Sequence, residues 1–175
     1  MANEHLWAGW RSEYVADAAT TDGDDRDGCV LCRVIAPDAD EQVDVVHRGE
    51  RMVCILNRFP YVNGHVMVLP SRHVDRLDLL DDDESAELWS MLETAVAAIT
   101  TAYEPGGVNV GANLGPAAGA GIPSHLHLHA LPRWRGDTNF MTTIANVRVI
   151  PEAPEVTAAK LRAAWPESGR PWGGR

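Results

Sequence analysis

Residues 125–131 read His125-Leu126-His127-Leu128-His129-Ala130-Leu131, with histidine and apolar side chains in alternation. Successive side chains of a β-strand point to opposite faces of a sheet. The pattern therefore predicts a strand with three histidines on one face and a buried apolar face. Imidazole can act as a nucleophile, a proton donor or a metal ligand near neutral pH. One face of the predicted strand is thus a candidate for catalysis or metal binding by imidazole side chains.

The loop before this strand is built from small residues. Gly115–Ser124 contains three glycines and three alanines, and no Asp, Glu, Lys or Arg occurs from Gly106 to Ala130. Such a loop can bring backbone N–H groups close to an anion, with no carboxylate nearby to repel it. These features predict a phosphate pocket. The alternative is a surface loop beside a metal site of three histidines.

The composition excludes several classes of partner. The chain has 175 residues, with 25 acidic residues against 15 Lys and Arg, and a net charge of −10. Nucleic acid and anionic membranes both require a basic face, so neither is an expected partner. No apolar run approaches the ~20 residues that a membrane span needs. Three cysteines without a secretory type of N-terminus predict a reducing, cytoplasmic location.

One domain is predicted at residues 29–150, after an N-terminal arm and acidic linker at 1–28 and before a helix and tail at 151–175. Alternating patterns and turn residues predict five strands, at Val43–His47, Arg51–Asn57, His65–Pro70, Val108–Asn113 and His125–Leu131. A long helix is predicted over Asp82–Tyr103, from its acidic start and apolar stripe, and a second helix over Pro154–Trp165. These elements predict an α+β fold.

Together, the motifs resemble those of the histidine triad (HIT) family. His125–Leu131 matches the signature H-φ-H-φ-H-φ-φ at all seven positions, where φ is an apolar residue. Asn57–Pro70 is similar to the family's N-x-x-P…G-H-φ-φ-φ-φ-P segment, and Asn113-Leu114-Gly115 to its polar residue and glycine before the phosphate loop. Leu131–Trp134 and Asp137–Phe140 resemble a subgroup, the HIT-type diadenosine tetraphosphate phosphorylases of actinobacteria. The resemblance implies a five-stranded, mostly antiparallel sheet with a long helix packed on one face, in a homodimer or larger homo-oligomer.

The resemblance also implies catalytic roles for His125, His127 and His129. His127 is the expected nucleophile, which attacks the α-phosphate of a nucleotide and forms a nucleotidyl-histidine intermediate. A backbone carbonyl on the same strand is expected to hold the other ring nitrogen of His127. His129 is expected to bind phosphoryl oxygens.

Further residues are expected, by the same resemblance, to bind substrate. Asn57 would hold the ribose hydroxyls and Asn113 would contact the phosphate region. Backbone N–H groups of the loop would bind phosphoryl oxygens, namely those of Gly119, Ala120, Gly121 and Ile122. Many family members carry a hydroxyl side chain in this loop, which is missing here unless Ser124 supplies it.

The subgroup implies phosphorolysis of diadenosine tetraphosphate to ADP and ATP, with inorganic phosphate as the second substrate and no organic cofactor. The phosphate needs an anion site, which is expected at the loop amides or at Arg133. Two alternatives stay open. The first is a HIT hydrolase that releases AMP from dinucleoside polyphosphates or nucleoside phosphoramidates. The second is a zinc-stabilised nucleotide-binding protein without significant turnover.

Cys29-Val30-Leu31-Cys32 has the spacing of a metal-binding or redox pair, and alone it is also compatible with two buried thiols. Bacterial HIT proteins and the related galactose-1-phosphate uridylyltransferases resemble this pattern. The resemblance implies a structural zinc ion held by four ligands, which are Cys29, Cys32, His73 and His125. Cys54 lies within a strand pattern and is predicted to be a core residue.

Four further residues are assigned roles outside the predicted histidine triad and metal site. His65 lies in the apolar run Gly64–Pro70 and is assigned a structural role rather than a catalytic one. Phe59 is assigned to core packing in preference to contact with a base. Arg133 is expected to face phosphate, and His47 is expected to be exposed.

Overall fold

The computed structural model describes residues 28–37, 44–137 and 152–167. Three α-helices lie in these ranges: α1 (Val30–Ile35), α2 (Asp82–Tyr103) and α3 (Pro154–Ala164). Five strands accompany them: β1 (Val45–Arg48), β2 (Met52–Leu56), β3 (Val66–Pro70), β4 (Gly107–Gly111) and β5 (Leu128–Arg133). No helix in the described ranges is both long and apolar enough to span a bilayer. The predicted N-terminal arm and linker up to residue 27 lie outside the described residues.

The five strands form one sheet in the order β1-β2-β3-β5-β4, and every neighbouring pair is antiparallel. This confirms the predicted α+β fold with a five-stranded antiparallel sheet. The histidine-bearing strand β5 lies between β3 and β4, with His129 opposite Met67 on one side and Gly111 on the other. The sheet therefore surrounds His129 with backbone on both sides.

The strand β5 begins at Leu128, three residues later than predicted. The ladder with β3 stops at the pair of Val68 and Leu128. Pro70 has no N–H to donate, and its carbonyl lies 2.9 Å from the ring nitrogen Nε2 of His125. The N–H of Leu126 donates instead to the carbonyl of Val74, over 2.6 Å. The alternation of side chains continues through this segment although its backbone leaves the ladder.

The long helix α2 covers one face of the sheet, and its bounds match the prediction. Its buried stripe includes the predicted residues Leu88, Met91, Leu92, Ala95 and Ile99. This stripe packs on apolar side chains of the three inner strands and of the segment just before β5, which include Cys54, Leu56, Val66, Leu126, Leu128 and Ala130. Cys54 is fully buried, as predicted, and burial raises the pKa of its thiol. The burial of alternate apolar residues from Leu126 onward turns the three histidines to the other face.

The other face carries a smaller apolar cluster under α1, a helix that the sequence patterns did not predict. The cluster consists of Leu31, Ile35, Val45, Val53, Ile55, Met67 and Leu69 together with Cys29 and Cys32. Both cysteines are thereby held against the sheet on the side of the histidines. α3 packs on α2 and β1, where Trp165, the residue after the helix, stacks on the exposed His47 at 4.7 Å between ring centroids.

A capping box begins α2. The Asp81 carboxylate accepts from the N–H of Glu84 (2.7 Å), and the Glu84 carboxylate accepts from the N–H of Asp81 (3.0 Å). Glu84 also accepts two hydrogen bonds from Arg72, at 2.9 and 2.7 Å. The Arg72 guanidinium lowers the pKa of the nearly buried Glu84 to about 2. This pair ties the loop after β3 to the start of the helix.

The Glu84 pairing predicts a pH-dependent contribution to stability. Because its folded pKa of about 2 lies below the ordinary value of ~4.3, the contribution is complete above that ordinary value. It is lost as the pH falls toward the folded pKa. We expect Glu84→Gln to lower the free energy of unfolding by ~1–3 kcal/mol at pH 7. Urea titrations should show this difference shrinking between about pH 5 and 2. A difference that stays constant over that range would contradict the assignment.

Candidate active site and metal centre

Three histidines line the sheet face opposite α2. His125 and His127 are buried, at 1% and 6% exposure, and His129 is partly buried. The rings of His127 and His129 meet edge to face, with centroids 5.1 Å apart. The structure therefore brings the rings of His127 and His129 into contact, while the ring of His125 meets that of His73.

A hydrogen bond sets the protonation of His127. Its Nδ1 lies 2.7 Å from the backbone carbonyl oxygen of His125. A carbonyl can only accept, so Nδ1 carries the proton of the neutral ring. The other nitrogen, Nε2, consequently carries a lone pair and no proton. A backbone carbonyl was expected to hold this ring, and the structure provides that of His125, which lies just before β5 instead of on the strand.

A second hydrogen bond joins His129 to a residue that the sequence analysis assigned only a structural role. His65 Nε2 lies 3.0 Å from His129 Nδ1, and His65 is 1% exposed. The N–H of Tyr61 donates to the opposite nitrogen of His65, Nδ1, over 3.2 Å. A usable signal was that His65 lies two residues before Met67, because side chains two residues apart in an extended segment share a face. It could be used only once the pairing of Met67 with His129 was known.

The two asparagines hold the loops that border the site. The side chain of Asn57 accepts from the N–H of Phe59 (2.9 Å), and its amide nitrogen lies 3.4 Å from His65 Nε2. Asn113 donates to the carbonyl of Gly119 over 3.2 Å and so closes the small-residue loop. Both residues thus border the histidine cluster through hydrogen bonds within the protein.

The small-residue loop uses half of its expected amides internally. The N–H of Gly119 donates to the carbonyl of Pro116 (2.9 Å), and that of Ala120 to the carbonyl of Gly115 (3.4 Å). The N–H groups of Gly121 and Ile122 have no acceptor among the described residues. Two of the four amides that were expected to bind phosphate thus make hydrogen bonds within the loop.

Arg133 does not fit its expected role as a phosphate ligand. Asp137 accepts from it at 2.5 and 2.9 Å, and Asn109 accepts at 3.0 Å. Hydrogen bonding to this carboxylate raises the pKa of Arg133. The pair also assigns a task to Asp137, whose carboxylate accepts from the N–H of Trp134 (3.3 Å) and holds the turn after β5.

Phe59 is 57% exposed beside Asn57, so its assignment to core packing was wrong. Its position follows from the turn after β2, where its N–H donates to the Asn57 side chain and its ring is left outside the sheet.

A cavity of about 490 Å³ adjoins Asn57 and His65 on the side of α3, a volume typical of small-molecule pockets.

Four potential metal ligands, His125 among them, converge at the start of the histidine segment. The ligand atoms of Cys29, Cys32, His73 and His125 all lie within 4.8 Å of one another. The two sulfurs come from the start of α1, since Cys29 is its N-cap and Cys32 lies in its first turn. His73 follows β3, next to the anchored Arg72. The structure thus assembles the whole set that the family resemblance implied.

Three sulfur–nitrogen separations in the cluster suit a tetrahedral metal ion. His125 Nδ1 lies 3.5 Å from Cys29 Sγ and 3.4 Å from Cys32 Sγ, and His73 Nδ1 lies 3.3 Å from Cys32 Sγ. Ordinary zinc–sulfur and zinc–nitrogen bonds at a tetrahedral angle separate S and N by roughly 3.6 Å. The Pro70 carbonyl holds the proton of His125 on Nε2, so a lone pair on Nδ1 faces the thiols. Two sulfurs and two imidazoles in this arrangement could hold a metal ion.

The fold and the histidine cluster define a class. The HIT domain model matches residues 39–136 of this chain, and the chain belongs to the HIT domain family. Among characterised relatives, an AP-4-A phosphorylase from Mycobacterium tuberculosis strain H37Rv is 39% identical over 168 residues, which is 93% of this chain and 84% of that protein.

Two further similarities bear on chemistry and metal. An asymmetrical bis(5'-nucleosyl)-tetraphosphatase from Schizosaccharomyces pombe is 31% identical over 53% of this chain and 50% of that protein. The crystal structure of a Zn-bound histidine triad family protein from Mycobacterium smegmatis superposes with a TM-score of 0.66 at 27% identity. The superposition covers 80% of this chain and 94% of that chain.

Proposed function

We propose that this protein is a nucleotidyl transferase that splits diadenosine tetraphosphate by phosphorolysis, giving ADP and ATP. The observation that carries the proposal is the hydrogen bond between His127 Nδ1 and the carbonyl of His125, which leaves a nucleophilic lone pair on Nε2. Similarity to the AP-4-A phosphorylase over most of both chains supports this choice of substrate.

The first half-reaction transfers an adenylyl group to His127. Nε2 attacks the α-phosphorus, the bond from that phosphorus to the bridging oxygen breaks, and ATP leaves. The His125 carbonyl stabilises the positive charge that develops on the imidazole ring through the 2.7 Å hydrogen bond. His129 and the N–H groups of Gly121 and Ile122 are the donors for the phosphoryl oxygens.

In the second half-reaction, an oxygen of inorganic phosphate attacks the adenylyl phosphorus. The bond to Nε2 breaks, ADP leaves, and His127 returns to its starting state. The phosphate needs a second anion site, and the amides of Gly121 and Ile122 are the candidates because Arg133 is held by Asp137. That same pairing of Arg133 favours a second candidate function, in which water replaces phosphate and AMP is released.

We propose that the four-residue cluster binds zinc. Its two thiols and two imidazoles are the ligand types that structural zinc prefers, and the separations of their atoms suit a tetrahedral ion. Bound zinc would supply a fixed charge centre that anchors α1 and the His125 ring. His125 would in turn hold its own backbone carbonyl in place under His127.

We also propose a cytoplasmic homodimer. Cys29, Cys32 and Cys54 form no disulfide among the described residues, which suits a reducing compartment. β4 is an edge strand that pairs only with β5 in the described chain, and its Val110 is 46% exposed. Trp89 of α2 is 56% exposed. An exposed strand edge and an aromatic helix face are surfaces that a second copy would cover.

The zinc proposal predicts one equivalent of zinc per purified chain. Cys29→Ala should reduce it below a tenth of an equivalent, because a structural site needs all four ligands. Cys54→Ala is the matched control, since Cys54 is as fully buried as Cys29 but lies outside the cluster. Elemental analysis of the protein, prepared without chelator, measures both. Equal zinc in the two variants would contradict the assignment.

Chromatographic product analysis tests the reaction. With diadenosine tetraphosphate and inorganic phosphate, we expect ADP and ATP in equal amounts. Without phosphate, turnover should stop after the first half-reaction. AMP and ATP formed at the same rate with and without phosphate would reject phosphorolysis in favour of hydrolysis.

The role of His127 predicts the behaviour of two variants. His127→Asn keeps an amide N–H that can donate to the His125 carbonyl but removes the nucleophile. It should lower turnover at least ~1,000-fold while nucleotide binding and melting temperature change little. His47→Asn, at an exposed histidine stacked on Trp165, is the control and should keep wild-type turnover. Turnover that survives in His127→Asn would reject the proposed function.

A further inference from the structure

His65 is held at both ring nitrogens. Nδ1 is 3.2 Å from the backbone nitrogen of Tyr61, and Nε2 is 3.0 Å from Nδ1 of His129. A backbone N–H can only donate, so His65 Nδ1 accepts and is unprotonated. A neutral imidazole must carry one proton, which places the proton of His65 on Nε2.

The proton on His65 Nε2 determines the state of His129. Because Nε2–H donates, His129 Nδ1 must accept and cannot carry a proton. The neutral His129 ring therefore has its proton on Nε2, the nitrogen that His65 does not contact. The Asn57 amide nitrogen also lies 3.4 Å from His65 Nε2, a longer contact than the 3.0 Å between His65 Nε2 and His129 Nδ1.

We propose that His65 is a positioning residue that fixes His129 as the tautomer with its proton on Nε2. This inference rests on the proposed function, in which His129 donates to the phosphoryl oxygens. Without His65, the ring of His129 could place its proton on Nδ1. It would then present a lone pair, which repels a phosphoryl oxygen, instead of an N–H.

The location of His65 suits this task. It is 1% exposed, so water does not compete for its hydrogen bonds, and it precedes β3, whose Met67 pairs with His129 on β5. The tautomer of His127 is also fixed by a hydrogen bond, but its proton is held on the other ring nitrogen. The His125 carbonyl holds the proton of His127 on Nδ1, which leaves a lone pair on Nε2 for attack. The two partners thus assign one ring as nucleophile and the adjacent ring as donor.

Two substitutions separate positioning from simple packing. His65→Asn can still accept from the Tyr61 N–H but is too short to reach His129. His65→Gln extends an amide N–H toward the place of Nε2 and can still donate to His129. In the zinc-loaded protein, we expect His65→Asn to lower kcat by roughly 10- to 100-fold with a smaller change in KM. His65→Gln should restore most of the lost rate. Equal losses in both variants, or an unchanged kcat in His65→Asn, would overturn the proposal.

Long-range ¹H–¹⁵N NMR of the histidine rings provides a readout that does not depend on turnover. His129 signals, assigned by comparison with His129→Gln, should show the Nε2–H tautomer in the wild type and in His65→Gln. In His65→Asn, the Nδ1–H form should be populated. An Nδ1–H tautomer in the wild type, or no change in His65→Asn, would overturn the proposal. Failure of the proposed function would appear elsewhere, as turnover that survives in His127→Asn.

Discussion

The hydrogen bond from His127 Nδ1 to the backbone carbonyl of His125 is the interaction on which the site depends. It joins two residues of a segment that has left the strand ladder, since β5 begins only at Leu128. The ladder of β3 with β5 ends at the pair of Val68 and Leu128, and two residues beyond Val68 the Pro70 carbonyl lies 2.9 Å from the His125 ring. His125 thereby contributes to both the four-residue cluster and the orientation of His127. The His125 side chain faces the cysteines, while its carbonyl orients the nucleophile.

The surrounding fold holds this segment from both faces of the sheet. On one face, Leu126 and Leu128 pack into the core beneath α2. On the other, α1 presses Cys29 and Cys32 against the sheet. The ion pair of Arg72 with Glu84 ties the loop that carries His73 to the capped start of α2. A short series of contacts therefore links the start of α2 to the four-residue cluster, and His125 links that cluster to His127.

Much of this arrangement was predictable because it is local. Alternation over seven residues placed the histidines on one face, and the apolar stripe and acidic start of α2 predicted its bounds. Features that depend on pairing between distant segments were missed. The contact of His65 with His129 needs the register of β3 on β5, and the loss of Arg133 to Asp137 needs the turn after β5. The internal use of the Gly119 amide depends on a left-handed glycine at the end of a single helical turn, which composition alone does not reveal.

The central claim is that His127 forms a covalent bond to the α-phosphorus, and trapping that adduct tests it most directly. The protein would be mixed with diadenosine tetraphosphate in the absence of inorganic phosphate and quenched in base within one turnover. Peptide mass spectrometry would then locate any adenylyl group. The account predicts an adenylyl group on His127, formed together with ATP and discharged as ADP when phosphate is added. Release of ATP with no adduct at any time, or an adduct on another residue, would contradict it.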